Sequence, residues 1–254
     1  MLFNAGGTFR AFPGGVASLL DILAILVSAP IIGKHRGLPR PIFIEILGWI
    51  AMNFISPDAR IFDETKKPFV PDDIQEAVRK IISWAGDDPD REGLVDTPVR
   101  FARAWKEYCQ GYEENPIAHL SRTFEEVGGY DEIVVLKNIP FHSHCEHHMA
   151  PIEGKACIAY LPDQKVVGIS KLARVLHAFA RRLQVQERLT AEIAQCIWDN
   201  LKPRGVAVVI EAKHGCMTGR GVRTPEVAMV TSRVLGCFLE DSASRKEVFS
   251  LMGR

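Results

Sequence analysis

The run Cys145-Glu146-His147-His148, taken with His214 and Cys216, constrains this chain more than any other feature. Thiol and imidazole together are the donors that a borderline-soft divalent ion takes, and zinc is its usual form. Cys145 and His148 are three apart, so on an extended-to-turn segment both reach one ion, but two ligands do not hold it. The candidate that completes the set, Cys216, lies 71 residues beyond Cys145. Only the fold can close that gap. Two strands of one sheet, each ending in a Cys/His cluster, do so simply.

Cys145, His148 and Cys216 make a Cys2His set. Three protein ligands with an open fourth position is the catalytic pattern for zinc; four protein ligands is the structural one. A closed site takes His147 or His214 as the fourth donor. An open site leaves those two imidazoles, each beside a ligand, to carry protons near neutral pH. His142 and His144 share one face if the segment is a strand, and read equally as support for the site or as surface.

The rest of the chain predicts an α+β fold. Asp72 and Asp73 precede apolar residues at helical spacing through Trp84. Thr97 reads as the N-cap and Pro98 as the first turn of a second helix running toward Gly111. Strands are expected over residues 132–137, 155–161, 206–211 and 228–234. Between the second and third lie a helix from Ser170 and another from Gln186 to Leu201, stopped by Pro203 and Gly205. Strand-strand-helix-helix-strand-strand implies one antiparallel four-stranded sheet with a helical pair on one face, preceded by N-terminal helices. The expected divisions are an atypical apolar extension over 1–57, a helical segment over 58–113 and a zinc-containing domain over 114–254.

The first of these differs in character from the remainder. Residues 16–33 and 41–56 are apolar but broken by Asp21, Pro30, Glu45 and Asn53. A transmembrane helix needs about 20 apolar residues, and a central charge costs roughly 2.5–3.5 kcal/mol, so a membrane anchor is the minor reading. Residues 1–51 read either as a real extension or as the product of an upstream start codon, with Met52 opening the polar stretch that follows. Six scattered cysteines do not form a disulfide framework, and a reducing, cytoplasmic setting is expected.

With a formal net charge of zero, no general attraction to nucleic acid or membrane is expected. Local cation clusters remain. Ser170, Lys171 and Arg174 fall in the first turns of a helix, whose free N–H groups already favour anions. Arg220 and Arg223 follow Cys216, and Arg100 and Arg103 lie on the second helix. Cations near a zinc centre suit a polyphosphate. Glu187, between Gln186 and Arg188, reads either as a solvated helix end or as a carboxylate able to accept from the N1–H and N2–H2 edge of guanine.

Cys145-Glu-His-His148, Gly168-Ile-Ser-Lys171, Gln184-Val-Gln-Glu-Arg-Leu-Thr190 and His214-x-Cys216 with Arg220-Gly221 resemble the GTP cyclohydrolase I family, in order, over about three-quarters of the chain. The resemblance implies the tunnelling fold, a homodecamer with active sites between subunits, and hydrolysis and rearrangement of GTP to formate and 7,8-dihydroneopterin triphosphate. It implies Cys145, His148 and Cys216 as zinc ligands and His147 and His214 as proton carriers. Glu187 and Gln186 match guanine recognition, Ser170 a position near the ribose, and Lys171, Arg174, Arg220, Arg100 and Arg103 the triphosphate. The rivals are weaker. A zinc deaminase lacks its Pro-Cys-x-x-Cys signature here, and a carbonic-anhydrase-like site lacks its Asp-Arg support. A zinc-stabilised nucleotide- or pterin-binding module without catalysis is the alternative that differs in class.

Overall fold

The computed structural model describes residues 68–121, 123–124 and 131–254, together with two short strands near the start. The chain divides into two units, residues 1–67 and 68–254. In the first, β1 (Leu2–Phe3) pairs antiparallel with β2 (Phe9–Arg10). The apolar runs at 16–33 and 41–56, with the anchor and start-codon readings that rest on them, lie outside the described residues. Among the described residues no helix is long and apolar enough to cross a membrane.

The second unit opens with α1 (Asp72–Trp84) and α2 (Thr97–Tyr108), the two helices that the periodicity predicts. Thr97 is not the N-cap of α2. Asp96 occupies that position without a side-chain cap bond, because its carboxylate accepts from Arg100 one turn on, at 2.8 Å. A 3-10 turn over Gln110–Tyr112 and α3 (Pro116–Leu120) follow, and β3 (Thr123–Phe124) pairs with β6 (Val166–Val167).

The main sheet holds five strands in the order β7-β4-β5-β8-β9: β4 (Val134–Cys145), β5 (Pro151–Leu161), β7 (Leu183–Gln184), β8 (Gly205–His214) and β9 (Met229–Gly236). The α+β expectation and the four long antiparallel strands hold. The fifth strand, β7, was not expected, and it makes the sheet mixed, since it runs parallel to β4. Two residues are too short for periodicity to reveal. The first strand is also longer than expected. It passes through a register irregularity between Leu136 and Ile139, where Asn138 takes φ +56, and carries on to the cysteine.

The helical pair α4 (Ile169–Ala180) and α5 (Gln186–Leu201) covers one face. Ala156, Ile158 and Tyr160 of β5 and Val206, Val208 and Ile210 of β8 meet Leu172, Val175, Leu176, Leu189, Ile193 and Ile197 there. Each such side chain, taken fully out of water, contributes about 1.5–3 kcal/mol. The intervening residues Cys157, Ala159, Ala207 and Val209 point to the other face. That face is not open: Phe238 of α7 (Cys237–Glu240) and Val248 and Met252 of α8 (Ser242–Met252) pack on it. The expectation of helices on one face is corrected to this extent. Burial on both sides explains the nearly unbroken apolar run of β8. Asp241 caps α8, accepting from the Ser244 N–H at 2.7 Å.

The N-terminal helices are pinned to this body at a point of close backbone approach. The Gly111 N–H donates to the Arg181 carbonyl at 3.0 Å. A Cβ on Gly111 would sit 2.4 Å from the Ala178 carbonyl oxygen and 2.7 Å from that of Arg181. Arg182 reinforces the junction. Its Nε donates to the Gly111 and Ala178 carbonyls, and its guanidinium lies over the Phe179 and Tyr112 rings. Since backbone oxygens cannot swing aside, Gly111→Ala is expected to cost roughly 1–3 kcal/mol, the range of overpacking changes. Urea unfolding checks this, and an unchanged midpoint would contradict it.

Candidate metal centre and active site

The register of β5 assembles the site. Its first residues lie between the ends of two neighbours: Pro151 pairs with His144 of β4, and Ile152 pairs with His214 of β8. The Cys145 cluster and the His214–Cys216 cluster therefore emerge at the same end of the sheet. The first is the turn of the β4–β5 hairpin. The Cys145 N–H donates to the Ala150 carbonyl and the Met149 N–H to the Cys145 carbonyl, both at 2.8 Å, with Met149 at φ +54. Glu146, His147 and His148 thus project from a closed loop. The second begins α6 (Gly215–Thr218), directly after β8. Gly215 lets that turn tuck in, since a Cβ there would come within 3.0–3.1 Å of Pro151.

Cys145 Sγ, Cys216 Sγ and a His148 ring nitrogen all lie within 4.8 Å of one another. Tetrahedral zinc with Zn–S near 2.3 Å places two thiolates about 3.8 Å apart, so the group needs only slight contraction. Cys145 is buried, Cys216 half-buried and His148 exposed, leaving one side of the group toward solvent. Burial first, and then the adjacent Cys145 thiol, push the Cys216 thiol above the ordinary cysteine range, while Arg220 draws it down. Two thiols so close resist joint ionisation unless a cation sits between them. The donor set therefore fits a divalent, thiophilic ion.

His147 and His214 fall outside this trio. His147 is exposed, with Nδ1 3.8 Å from Cys145 Sγ and Nε2 3.8 Å from a Glu146 oxygen. His214 is half-buried, and its Nε2 lies 2.8 Å from Gln186 Oε1. Burial holds its pKa below the usual imidazole value, against the smaller opposing pull of Glu187. Glu187 is exposed in the first turn of α5, within electrostatic reach of His214. Gln186 beside it is fully buried and bonded to protein groups.

β7 brings the start of α5, with Gln186 and Glu187, to the hairpin turn. Leu183 and Gln184 pair with His144 and Cys145, and the Glu146 N–H donates to the Gln184 carbonyl at 3.0 Å. Arg188 then closes the arrangement. Its guanidinium pairs with the Glu146 carboxylate and also donates to Gln184 Oε1 and the Leu183 carbonyl. Glu146 thus ties the hairpin turn to the start of α5. Sequence reading passed over Arg188, and the only signal for it was its place beside Glu187.

Ser170, Lys171 and Arg174 occupy the first turns of α4, with Ser170 exposed and both cations half-buried. Arg220 is exposed beyond α6, near enough to Cys216 to affect its thiol. Arg100 and Arg103, on α2, have partners of their own. Arg100 pairs with Asp96, and Arg103 donates to the Pro68 carbonyl at 3.2 Å.

Residues 74–253 match the sequence profile of GTP cyclohydrolase I. The chain belongs to the GTP cyclohydrolase I family. It is 52% identical over 192 residues to GTP cyclohydrolase 1 of Hyphomonas neptunium, covering 76% of this chain and 93% of that one. It is 48% identical over 204 residues to the Maricaulis maris enzyme of the same name, covering 80% and 100%. Against the Brucella anthropi relative it is 58% identical over 164 residues, covering 65% and 77%. The family match thus takes in all but the first two residues of α1, the whole of α2, the Cys145, His148 and Cys216 group, and α8.

His144 has a packing role. Its ring stacks on Tyr108 at 4.8 Å and meets Trp105 edge-on at 5.0 Å, fastening α2 to the strand that carries Cys145. Burial first, and then the nearby His142, lower its pKa. The unfolded chain therefore binds this proton more readily, so the contribution to stability is intact above about pH 6.5 and is lost as pH falls below it. Replacing His144 with Phe is expected to flatten the decline of the urea midpoint between roughly pH 7 and pH 5. Parallel pH profiles for the two proteins would contradict this.

Proposed function

We propose that the chain converts GTP and water to formate and 7,8-dihydroneopterin triphosphate, with zinc at Cys145, His148 and Cys216. The activity is that of its family, and the observation that carries the metal assignment is the convergence of two thiols and one imidazole within 4.8 Å. Zinc held there supplies Lewis acidity, the property that makes water nucleophilic near neutral pH at guanine C8.

The chain's own groups do the rest. Glu187 accepts from the N1–H and N2–H2 edge of guanine and so orients the base. His147, exposed at the hairpin turn, delivers a proton to the imidazole portion of guanine as that ring opens. His214 handles protons near the ribose in the later rearrangement, and Ser170 lies by that same ribose. Lys171, Arg174 and Arg220 receive the triphosphate, helped by the N–H groups at the start of α4. Gln186 has its amide engaged by protein groups, so it serves the substrate through His214.

Arg100 and Arg103 complete the phosphate site from a neighbouring copy, in a homodecamer with active sites between subunits. Two features support assembly. Trp84 on α1 is 89% exposed and Ile81 58%, a costly display for a lone chain. β9 also forms the outer edge of the sheet, with one side of its backbone unpaired within the described sheet. All six cysteines are free, in keeping with a reducing, cytoplasmic setting.

The test is formate release and dihydroneopterin fluorescence from GTP, with metal analysis, with and without a chelator. Turnover with about one zinc per chain, abolished by chelation, is expected. Absence of product from zinc-loaded protein would leave the non-catalytic binding module. His147→Ala is expected to keep the zinc and lose roughly 100-fold or more in kcat; zinc loss would make His147 a ligand. Glu187→Gln is expected to raise KM for GTP with little change in the unfolding midpoint, and an unchanged KM would remove the guanine role.

A further inference from the structure

Gln186 is 1% exposed at the first position of α5, where a polar amide is costly unless each of its atoms is bonded. Its Nε2 lies 3.2 Å from the Ile210 carbonyl, 3.0 Å from the Met229 carbonyl and 3.1 Å from Thr231 Oγ1. Two of these three partners are backbone carbonyls, which can only accept. The NH2 end of the amide must therefore face them, and the assignment of nitrogen and oxygen is not open to reversal.

The hydroxyl protons follow the same logic. Thr190 Oγ1 donates to the Gln186 carbonyl at 2.7 Å, one turn back along α5, which uses its only proton. The 2.7 Å contact between Thr190 and Thr231 must then run from the Thr231 hydroxyl to Thr190 Oγ1. That leaves Thr231 Oγ1 to accept from Gln186. The result is a closed circuit: Gln186 Nε2–H to Thr231, Thr231 to Thr190, and Thr190 to the Gln186 carbonyl. It crosses from α5 to β9 and returns.

With the NH2 end committed, Gln186 Oε1 can only accept, and the group 2.8 Å away is His214 Nε2. We propose that Gln186 is a positioning residue that fixes the neutral His214 ring with Nε2 protonated and Nδ1 carrying the lone pair. Nδ1 is then the ring nitrogen left for the substrate, while Nε2 stays committed to Gln186. This rests on the proton-handling role assigned to His214 above, and it adds which nitrogen acts and what sets that choice.

The test is 15N NMR of the zinc-loaded full chain labelled at histidine, near neutral pH, with His214 assigned by its loss in His214→Asn. A protonated Nε2 and an unprotonated Nδ1 are expected. An Nδ1–H ring, or an even mixture of tautomers, would overturn the proposal whatever the activity of the protein. In Gln186→Met, similar in volume but without the amide, the single tautomer is expected to give way to a mixture. Its kcat is expected to fall about 10-fold or more while KM stays within about threefold and zinc content holds. An unchanged tautomer with unchanged kcat would also overturn the proposal. If that variant does not fold, the native tautomer alone decides. A native chain with the expected tautomer but no GTP turnover would count against the function and leave the tautomer assignment standing.

Discussion

The backbone ladder of β5 with its two neighbours is the constraint on which the site depends. Pro151 opposite His144 and Ile152 opposite His214 place two distant clusters at one end of one sheet. A slip of one residue on either side would turn every side chain of that strand to the other face. Such a slip is costly because both faces are packed: Tyr160 and Ile158 lie against α4 and α5, and Cys157 and Ala159 lie beneath α7 and α8. The geometry of the trio is thus enforced by the whole core, to which Cys145 belongs and against which Cys216 packs.

A second constraint is polar. β7 contributes only two residues, yet it seats the start of α5 beside the hairpin turn; Gln184 bonds to the Phe179 carbonyl and Glu192, and Gln186, Thr190 and Thr231 bond to one another. Buried polar networks of this kind stabilise little in net terms, but a misplaced member leaves several groups without partners. They therefore hold direction well. Here they set where Glu187 and His214 stand relative to the thiols, while Glu146 and Arg188 clasp the same junction from the solvent side.

Periodicity made much of this legible. α1, α5 and the four long strands each carry a pattern long enough to read, and the stop at Pro203 and Gly205 matches the left-handed cap at Lys202. The elements that escaped are short or governed by distant partners. Two residues of β7 have no period. Thr97 looked like a cap, but Asp96 holds that position and spends its carboxylate on Arg100. The continuation of β4 through Pro140 to Cys145 was hidden by an irregular register. His144 could be placed on a face by alternation, but its stacking on Tyr108 depends on where α2 docks.

By itself the sequence determined the chemistry available: two thiols and a cluster of imidazoles in metal-ligand spacing, cations at the start of a helix and a carboxylate beside a glutamine, in a family order that fixes the reaction class. Donor identity is a property of residue type, and residue type is what a sequence states. Tertiary structure decided which donors meet, which imidazoles stay free of the trio and which nitrogen of His214 faces Gln186. Those are properties of register and of proton bookkeeping in a closed network. Both depend on residues dozens of positions apart, whose meeting no local pattern encodes.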